Sequence, residues 1–128
     1  MIETDDAMKV ASGRVFVIDG DAVMRECIAK ACGGREVCEF DNALAAMNAI
    51  IDGALPDLIF MDVMLTGPDG FSFLNELISY EDTAKIPVVI VSAVDFAGRD
   101  LSVYGVVEIL EKDTFRPDDV RRLVVKYA

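Results

Sequence analysis

Five polar side chains in this chain each come at or just after the end of a short apolar run: Asp19, Asp21, Asp62, Ser92 and Lys112. Carboxylates that lie close together repel and raise one another's pKa unless a cation lies between them. An all-oxygen set of ligands favours a hard ion that keeps several waters, which indicates Mg²⁺. Lys112 can neutralise Asp62 or hold a phosphoryl oxygen, and Ser92 can donate to another. A carboxylate in these surroundings suits a nucleophile toward phosphorus that forms an acyl phosphate.

The strand that positions Asp62 is predicted over residues 58–61, which are four apolar residues in a row. Turn-forming residues stand on both sides of it, Pro56 before and Gly67 after. An apolar run bounded in this way is typical of a strand buried on both faces, as in a parallel sheet. Ligands gather at the carboxyl ends of such strands, where Asp62 stands. The rival role for Asp62 is that of an ordinary turn residue.

Four further strands are predicted over residues 15–18, 37–40, 87–91 and 106–110. Apolar residues at helical spacing predict four inward helix faces: Val23, Met24, Cys27, Ile28 and Ala31; Leu44, Met47, Ile50 and Ile51; Phe71, Phe73, Leu74, Leu77 and Ile78; and Val120, Leu123, Val124 and Tyr127. A weaker helix, fourth in chain order, is predicted over residues 95–104. This alternation predicts an α/β fold with a five-stranded parallel sheet and helices on both faces. Parallel strands would bring the five polar side chains to one edge.

The composition limits the classes of function. The chain has 128 residues, of which 53% are hydrophobic, and this predicts one ordered domain over residues 13–128 after a flexible tail over residues 1–12. A net charge of −11 argues against direct nucleic-acid binding, which needs basic residues to neutralise phosphates. No apolar run approaches the roughly 20 residues of a membrane helix, so membrane insertion is not expected.

Histidine is absent, which excludes Ser-His and Cys-His catalysis. The three cysteines, Cys27, Cys32 and Cys38, are odd in number and lie in largely apolar surroundings. We therefore expect buried, reduced thiols and a cytoplasmic protein. Their spacing, without any histidine, is poor for a zinc site.

Taken in order, these motifs resemble a response-regulator receiver domain of two-component signalling over about residues 13–128. The resemblance rests on Val17-Ile18-Asp19-Gly20-Asp21, Pro56-Asp57, Ile59-Phe60-Met61-Asp62-Val63-Met64, Gly67-Pro68-Asp69-Gly70-Phe71, Pro87-Val88-Val89-Ile90-Val91-Ser92-Ala93 and Leu110-Glu111-Lys112. Each motif alone is weak, but their combination in this order is specific. The resemblance implies the (βα)5, flavodoxin-like, doubly wound arrangement.

The resemblance also implies a switch rather than an enzyme, with at most self-dephosphorylation. A histidine kinase or phosphotransfer protein would donate a phosphoryl group to Asp62. Mg²⁺ would be held by Asp19, Asp62 and the backbone carbonyl of Met64, with Asp21 as a further ligand if it bends in. Ser92 and Lys112 would reorient toward the phosphoryl group. The face made by the fourth helix, fifth strand and fifth helix would then change its binding of a downstream protein partner.

The sequence departs from the family pattern most seriously at Gly20, where a second acid usually contacts the metal. Asp21 either substitutes for it, since glycine frees the backbone between the two acids, or caps the first helix. Thr66 and Asp113 stand where prolines are usual, the second of them commonly cis. Ile109 occupies the position of a switching aromatic residue. We expect the missing carboxylate at Gly20 to weaken the Mg²⁺ site. Ile109 has no hydroxyl with which to perform the usual aromatic readout.

Two other interpretations remain open from the sequence. One is a receiver-like module that works by protein contact without phosphorylation, which Gly20, Ile109 and Asp113 favour. The other is a phosphatase similar to the haloacid dehalogenase family, whose Asp-x-Asp motif matches Asp19 and Asp21. Against the phosphatase, the chain is short for that fold, and the role of Asp62 is left unexplained. Individually, Ser92 also fits a simple strand-end hydroxyl and Lys112 a solvated charge.

Overall fold

A computed structural model describes residues 13–64, 70–94, 96 and 99–128. Its sheet contains five parallel strands in the spatial order β2-β1-β3-β4-β5. The strands are β1 (Arg14–Ile18), β2 (Glu36–Phe40), β3 (Leu58–Met61), β4 (Val88–Ser92) and β5 (Val106–Glu111). The predicted parallel sheet is therefore confirmed, and the predicted tail over residues 1–12 lies outside the described residues.

Helices cover both faces of this sheet. They are α1 (Ala22–Ala31), α2 (Ala43–Ile51), α3 (Gly70–Ile78), the single-turn α4 (Glu81–Ala84) and α5 (Pro117–Tyr127). One buried cluster packs α2 and α3 against the sheet, and a second packs α1 and α5 against the opposite face. Apolar burial on both faces confirms the doubly wound α/β class, as expected for parallel strands that read as continuous apolar runs.

The central strand β3 positions the predicted site. All four of its residues are at most 1% exposed. It pairs with β1 on one side and β4 on the other, with Met61 opposite both Ile18 and Ile90. Because all three strands run in the same direction, Asp62, which follows β3, and Ser92, the last residue of β4, come to the same edge of the sheet.

The inward faces of the first two helices differ from the prediction. In α2 the buried residues are Ala43, Ala46 and Ile50, while Leu44 is 56% exposed and Ile51 is 73% exposed. The small alanine side chains allow α2 to approach the sheet closely, which turns its larger residues outward. In α1 Val23 is 69% exposed and Cys27 is exposed as well, whereas Ile28 and Ala31 face inward as predicted.

The helix predicted over residues 95–104 is wrong for the part that is described. Residues 99–101 are not helical, and Ser102–Tyr104 form one 3₁₀ turn; residues 95, 97 and 98 lie outside the described residues. Asp100 accepts hydrogen bonds from the amide and the hydroxyl of Ser102, a local pattern that competes with an α-helix. Gly105, with φ of 81°, then ends the turn. The short helix α4 was not predicted.

The three cysteines are free, but only Cys32 is buried, so the expectation of buried thiols is wrong for the exposed Cys27. Burial raises the pKa of Cys32 to about 11. Since the thiolate is the reactive form, we expect iodoacetamide at mildly alkaline pH to alkylate Cys27 well before Cys32 in the folded protein. Mass spectrometry of peptides from timed samples measures both rates. Equal rates under native conditions would contradict the burial of Cys32, and denaturant serves as the control that makes both thiols reactive.

Candidate functional site

Asp19 and Asp62 lie side by side at the end of the central strands. Pairing of Ile18 with Met61 places them at matching positions, and the Asp62 amide donates a hydrogen bond of 3.0 Å to the Ile18 carbonyl. The side chain of Asp19 is 4% exposed, and that of Asp62 is 13% exposed. Both acids thus meet at the edge where the sequence placed them, and Asp62 is the more accessible of the two.

Lys112 joins these two carboxylates. Its Nζ lies 2.9 Å from Oδ2 of Asp19 and 2.9 Å from Oδ2 of Asp62. The contact with Asp62 has hydrogen-bond geometry, whereas Oδ2 of Asp19 is buried in the ion pair and meets no well-aligned hydrogen-bond donor among the described residues. Burial by itself lowers the pKa of Lys112, but the contacts with Asp62 and Asp19 outweigh it and hold that pKa above its ordinary value. Lys112 is therefore a fixed ammonium rather than a solvated charge.

Ser92 is buried at the end of β4, with 1% of its surface exposed. Its Oγ accepts a hydrogen bond of 3.0 Å from the Val94 amide. Its carbonyl accepts another of 3.0 Å from the Lys112 amide, and in the β4–β5 register it pairs with Glu111. Ser92, Lys112 and Asp113 also line one cavity of 280 Å³. The backbones of Ser92 and Lys112 are thus held side by side at the end of β4.

Asp21 is placed as the cap of α1. Its Oδ1 accepts hydrogen bonds from the amides of Val23, at 2.9 Å, and Met24, at 3.4 Å. Its own amide donates to Oδ1 of Asp19 over 2.9 Å. Of the two roles left open by the sequence, the geometry favours the cap, because the carboxylate oxygen is already engaged at the helix start.

The loop after β3 fixes the second oxygen of Asp62. The Met64 amide donates to Oδ1 of Asp62 over 2.9 Å. Gly70, at the start of α3, donates to the Val63 carbonyl over 3.1 Å, and a Cβ on Gly70 would lie 2.5 Å from Val63 Cα. Only glycine permits this close approach. Thr66 lies outside the described residues, and the role of the Met64 carbonyl stays a prediction.

Asp19 and Asp62 are the two carboxylates that could hold Mg²⁺ here. Oδ2 of Asp19 is buried and, in the described part of the chain, is met by the Lys112 ammonium at 2.9 Å rather than by a well-aligned hydrogen-bond donor, so it suits a metal ligand. At Gly20 a Cβ would meet nothing nearer than the Asp41 carbonyl oxygen at 4.0 Å, so the space for a further acid is open. Among the described residues, no three His, Cys, Asp or Glu side chains are close enough to hold a metal ion. These residues fit a weak Mg²⁺ site in which the ion keeps most of its waters.

The structure also describes the surroundings of Asp113 and Ile109, the other two residues that depart from the family pattern. Asp113 is exposed in the turn after Lys112, and no peptide bond in the described part of the chain is cis. Ile109 is half-buried and packs against the cluster that includes α2 and α3. A negative charge therefore stands beside Lys112, and the position of Ile109 carries no hydroxyl to exchange between core and solvent.

Arg25 is a residue that the sequence interpretation missed. Its Nη1 donates to the Asp19 carbonyl over 2.6 Å, and its Nε lies 3.4 Å from Oε1 of Glu39. The contact ties α1 to the end of β1, just where the chain turns toward Asp21. A signal was present in the sequence, because Arg25 comes one helical turn after Asp21 and must lie over the helix start.

We expect Asp21→Ala to lower the free energy of unfolding by about 1 kcal/mol, the usual loss when a helix cap is removed. Asp21→Asn should lose less, because asparagine caps as well as aspartate does. Urea denaturation followed by circular dichroism measures both. The pair also separates the two roles of Asp21, since a metal ligand would lose Mg²⁺ affinity in Asp21→Asn while stability is retained. Full stability in Asp21→Ala would contradict the capping contacts.

Known proteins resemble this chain in sequence and in fold. The model of the response regulator receiver domain matches residues 15–124. The response regulator PleD of Caulobacter vibrioides is 37% identical over 90 residues, which cover 68% of this chain and 19% of PleD. A protein-glutamate methylesterase/protein-glutamine glutaminase of Anaeromyxobacter dehalogenans is 30% identical over 122 residues, covering 87% of this chain and 34% of that protein.

Among solved structures, the response regulator TrrA of Thermotoga maritima in complex with Mg²⁺-BeF has a TM-score of 0.74 at 22% identity. The match covers 89% of this chain and 97% of that one, and it shows a shared fold. The chain thus spans about a third or less of the two curated relatives and nearly all of the solved TrrA chain. None of the helices formed by the described residues has the length and apolar character to span a bilayer.

Proposed function

Because the chain belongs to the response regulator receiver domain family, we propose that it accepts a phosphoryl group on Asp62 and changes its binding of a downstream protein. The donor would be a histidine kinase or a phosphotransfer protein, since receiver domains interact with such kinases and with effector domains. A receiver domain is a signalling switch rather than a classical enzyme. The free cysteines of the described chain suit a reducing compartment, so we place this switch, over residues 13–128, in the cytoplasm.

The observation that carries the proposal is the ion pair of Asp62 with Lys112 at the accessible end of β3. The Asp62 side chain is about three times as exposed as that of Asp19, at 13% against 4%, which makes Asp62 the more accessible of the two acids. Its Oδ1 is aimed by the Met64 amide and its Oδ2 by Lys112. An oriented carboxylate beside a fixed ammonium favours phosphoryl transfer, since the nucleophile is positioned and the transferred charge is stabilised.

In the transfer, one carboxylate oxygen of Asp62 forms a bond to phosphorus while the bond from phosphorus to the donor's nitrogen breaks. The nitrogen keeps the bonding electron pair. Lys112 stabilises the charge on the transferred oxygens, and Ser92, whose Oγ accepts from the Val94 amide, still has its O–H to donate to one of them. A Mg²⁺ ion held by Asp19 and Asp62 would supply further charge neutralisation.

The output surface in this proposal is formed by Ser102–Tyr104, β5 and α5. Exposed valines lie on it, namely Val103, Val107 and Val125, which are 68%, 41% and 75% exposed. Ser92 and Lys112 stand at the ends of the two strands that lead to this surface, β4 and β5. Since Ile109 has no hydroxyl, the change would be transmitted by repacking of apolar side chains rather than by a switching aromatic residue.

A receiver-like module that needs no phosphate is the second candidate. The contacts that favour it are those of Lys112, which already occupies the space between both carboxylates, and the open space at Gly20. The phosphatase interpretation gains no such support. Its nucleophile would be Asp19, whose side chain is more deeply buried than that of Asp62, at 4% exposure against 13%.

Acetyl phosphate with Mg²⁺, followed by intact mass spectrometry, tests the proposal. We expect the wild type to gain one phosphoryl group and Asp62→Asn to gain none, because the variant has no carboxylate to form the acyl bond. Asp19→Asn should be labelled more slowly but still at Asp62. Absence of labelling in the wild type at saturating Mg²⁺ would favour the phosphate-independent module. Turnover of a phosphate ester that Asp19→Asn abolishes and Asp62→Asn spares would favour the phosphatase.

A further inference from the structure

Helix α2 is a surface helix without a charged residue. Its nine residues are alanines, larger apolar residues and one asparagine, Asn48. Only its alanine face and Ile50 are buried, so Leu44 and Ile51 project outward with 56% and 73% of their surface exposed. A helix that is apolar on nearly all sides is normally covered on all sides. The outer face of α2 therefore lacks the solvated charges that an uncovered surface helix carries.

Two adjoining hollows lie against this outer face. One has a volume of 410 Å³ and the other of 300 Å³, and both are lined by Met47, Ile51 and Glu76. The first extends to Leu55 and Tyr80, which are 42% and 61% exposed. The second follows α2 to its first turn. Together they form a groove, which we call the α2–α3 groove, that runs along α2 between it and the segment from α3 to α4.

The charged residues at the groove are all acidic. Glu76 and Asp82 line it, and no Lys or Arg lines it among the described residues. Asp52 and Glu81, both exposed, directly follow the groove residues Ile51 and Tyr80 in the chain. The groove thus combines an apolar floor with an acidic rim. Such a surface attracts a cationic partner that also has apolar side chains to bury.

We propose that the α2–α3 groove binds an amphipathic helix of another protein, one that carries apolar anchors on one face and Lys or Arg beside them. A groove along a helix suits such a partner, whose anchors at positions i, i+3/i+4 and i+7 would enter the two hollows. The basic side chains would meet Glu76 and Asp82. Long basic side chains also cover apolar surface with their stems, which matches an apolar floor beside an acidic rim.

Two other occupants fit the charges less well. A second copy of this chain would bring the same acidic rim against itself, and each copy has a net charge of −11. The segment over residues 1–12 is acidic too, with Glu3, Asp5 and Asp6 against a single Lys9. Like charges across an interface oppose binding. A basic partner is the occupant for which charge and apolar surface agree.

This interaction is separate from the proposed phosphoryl transfer. The α2–α3 groove contains none of Asp19, Asp62, Ser92 and Lys112, and none of its lining residues belongs to Ser102–Tyr104, β5 or α5, which would carry the output. A partner could thus be held in the groove whether or not Asp62 is phosphorylated. Binding in the groove is therefore independent of the function of Asp62.

The test uses a synthetic peptide of about four helical turns with leucines on one face and lysines beside them, titrated into the full chain by calorimetry. Comparison peptides replace the lysines by glutamates or the leucines by serines. We expect the Leu/Lys peptide to bind the tightest, with amide shifts in nuclear magnetic resonance spectra concentrated in α2 and α3. Ile51→Gln should weaken binding by about tenfold, because the groove loses one of the apolar side chains that contact the peptide.

The matched control is Val125→Gln, which removes an equally exposed aliphatic side chain from α5 without changing the net charge. It should leave binding unchanged, and so should Asp62→Asn. Equal effects of Ile51→Gln and Val125→Gln would overturn the proposal, because they would show general attraction to an acidic protein. Equal binding of the Leu/Glu peptide, no binding of any peptide, or a dimer of the chain that Ile51→Gln disrupts would overturn it as well.

Discussion

Gly20→Asp is expected to bind Mg²⁺ on the order of tenfold more tightly than the wild type, because it adds a carboxylate to a site that has two. Gly20 follows β1, and a Cβ there would meet only the Asp41 carbonyl oxygen at 4.0 Å. The described residues with positive φ are other glycines, so an aspartate at this position strains no backbone. The added oxygen would stand next to Asp19, the acid whose buried Oδ2 forms an ion pair with Lys112.

Calorimetric titration with Mg²⁺ measures the change, and Gly20→Asn is the matched control with the same shape but no charge. Labelling by acetyl phosphate should become faster in Gly20→Asp in parallel with the affinity, since the ion neutralises charge during transfer. Equal Mg²⁺ affinity in Gly20→Asp and Gly20→Asn would show that the missing acid does not limit this site. In that case the carboxyl group of Asp21 or the loop after β3 would have to be the limiting feature.

Phe60→Ala is expected to lower the free energy of unfolding by about 3–5 kcal/mol, the largest stability loss that we predict. Phe60 is fully buried in the central strand β3 and belongs to the cluster that packs α1 and α5 on the sheet. Truncation leaves a cavity in the strand that carries Asp62 two residues later. A loss of this size is a large fraction of the stability of a small domain, which is about 5–15 kcal/mol.

Urea denaturation measures the loss, with Val125→Ala as the control at a position that is 75% exposed. That control should stay within about 0.5 kcal/mol of the wild type. Phe60→Leu is a smaller truncation that we expect to fold. It should lose less stability than Phe60→Ala, and it can still be measured if Phe60→Ala does not fold. A loss in Phe60→Ala no larger than that in Val125→Ala would contradict the burial of β3 on both faces.

The sheet could be predicted from the sequence because each strand is a continuous apolar run, as strands buried on both faces require. The same property predicted the site, since parallel strands bring Asp19, Asp62, Ser92 and Lys112 to one edge. The contact of Lys112 with two carboxylates follows from that topology. These features depend on the order of the elements and not on the rotation of any helix, which is why sequence patterns were sufficient.

The rotation of α2 could not be predicted in the same way. Alanine fits either a buried or an exposed helix face, so the sequence favoured the larger Leu44 and Ile51 as core residues. Close approach to the sheet buries Ala43 and Ala46 instead, and that choice depends on packing across the whole layer. Local hydrogen bonds explain two other features that the sequence did not determine. The Asp100 side chain stabilises the turn at Ser102, and the Asp21 side chain caps α1.

The central claim is that Asp62 is the phosphoryl acceptor, and chemical trapping of the modified residue tests it most directly. Borohydride reduces an acyl phosphate to an alcohol, so treatment of the acetyl phosphate-labelled chain converts the acceptor aspartate to homoserine. Peptide sequencing by mass spectrometry then locates the change. We predict homoserine at position 62 in the wild type and at no position in Asp62→Asn. Homoserine at position 19 or 21, or labelling that survives in Asp62→Asn, would contradict the account.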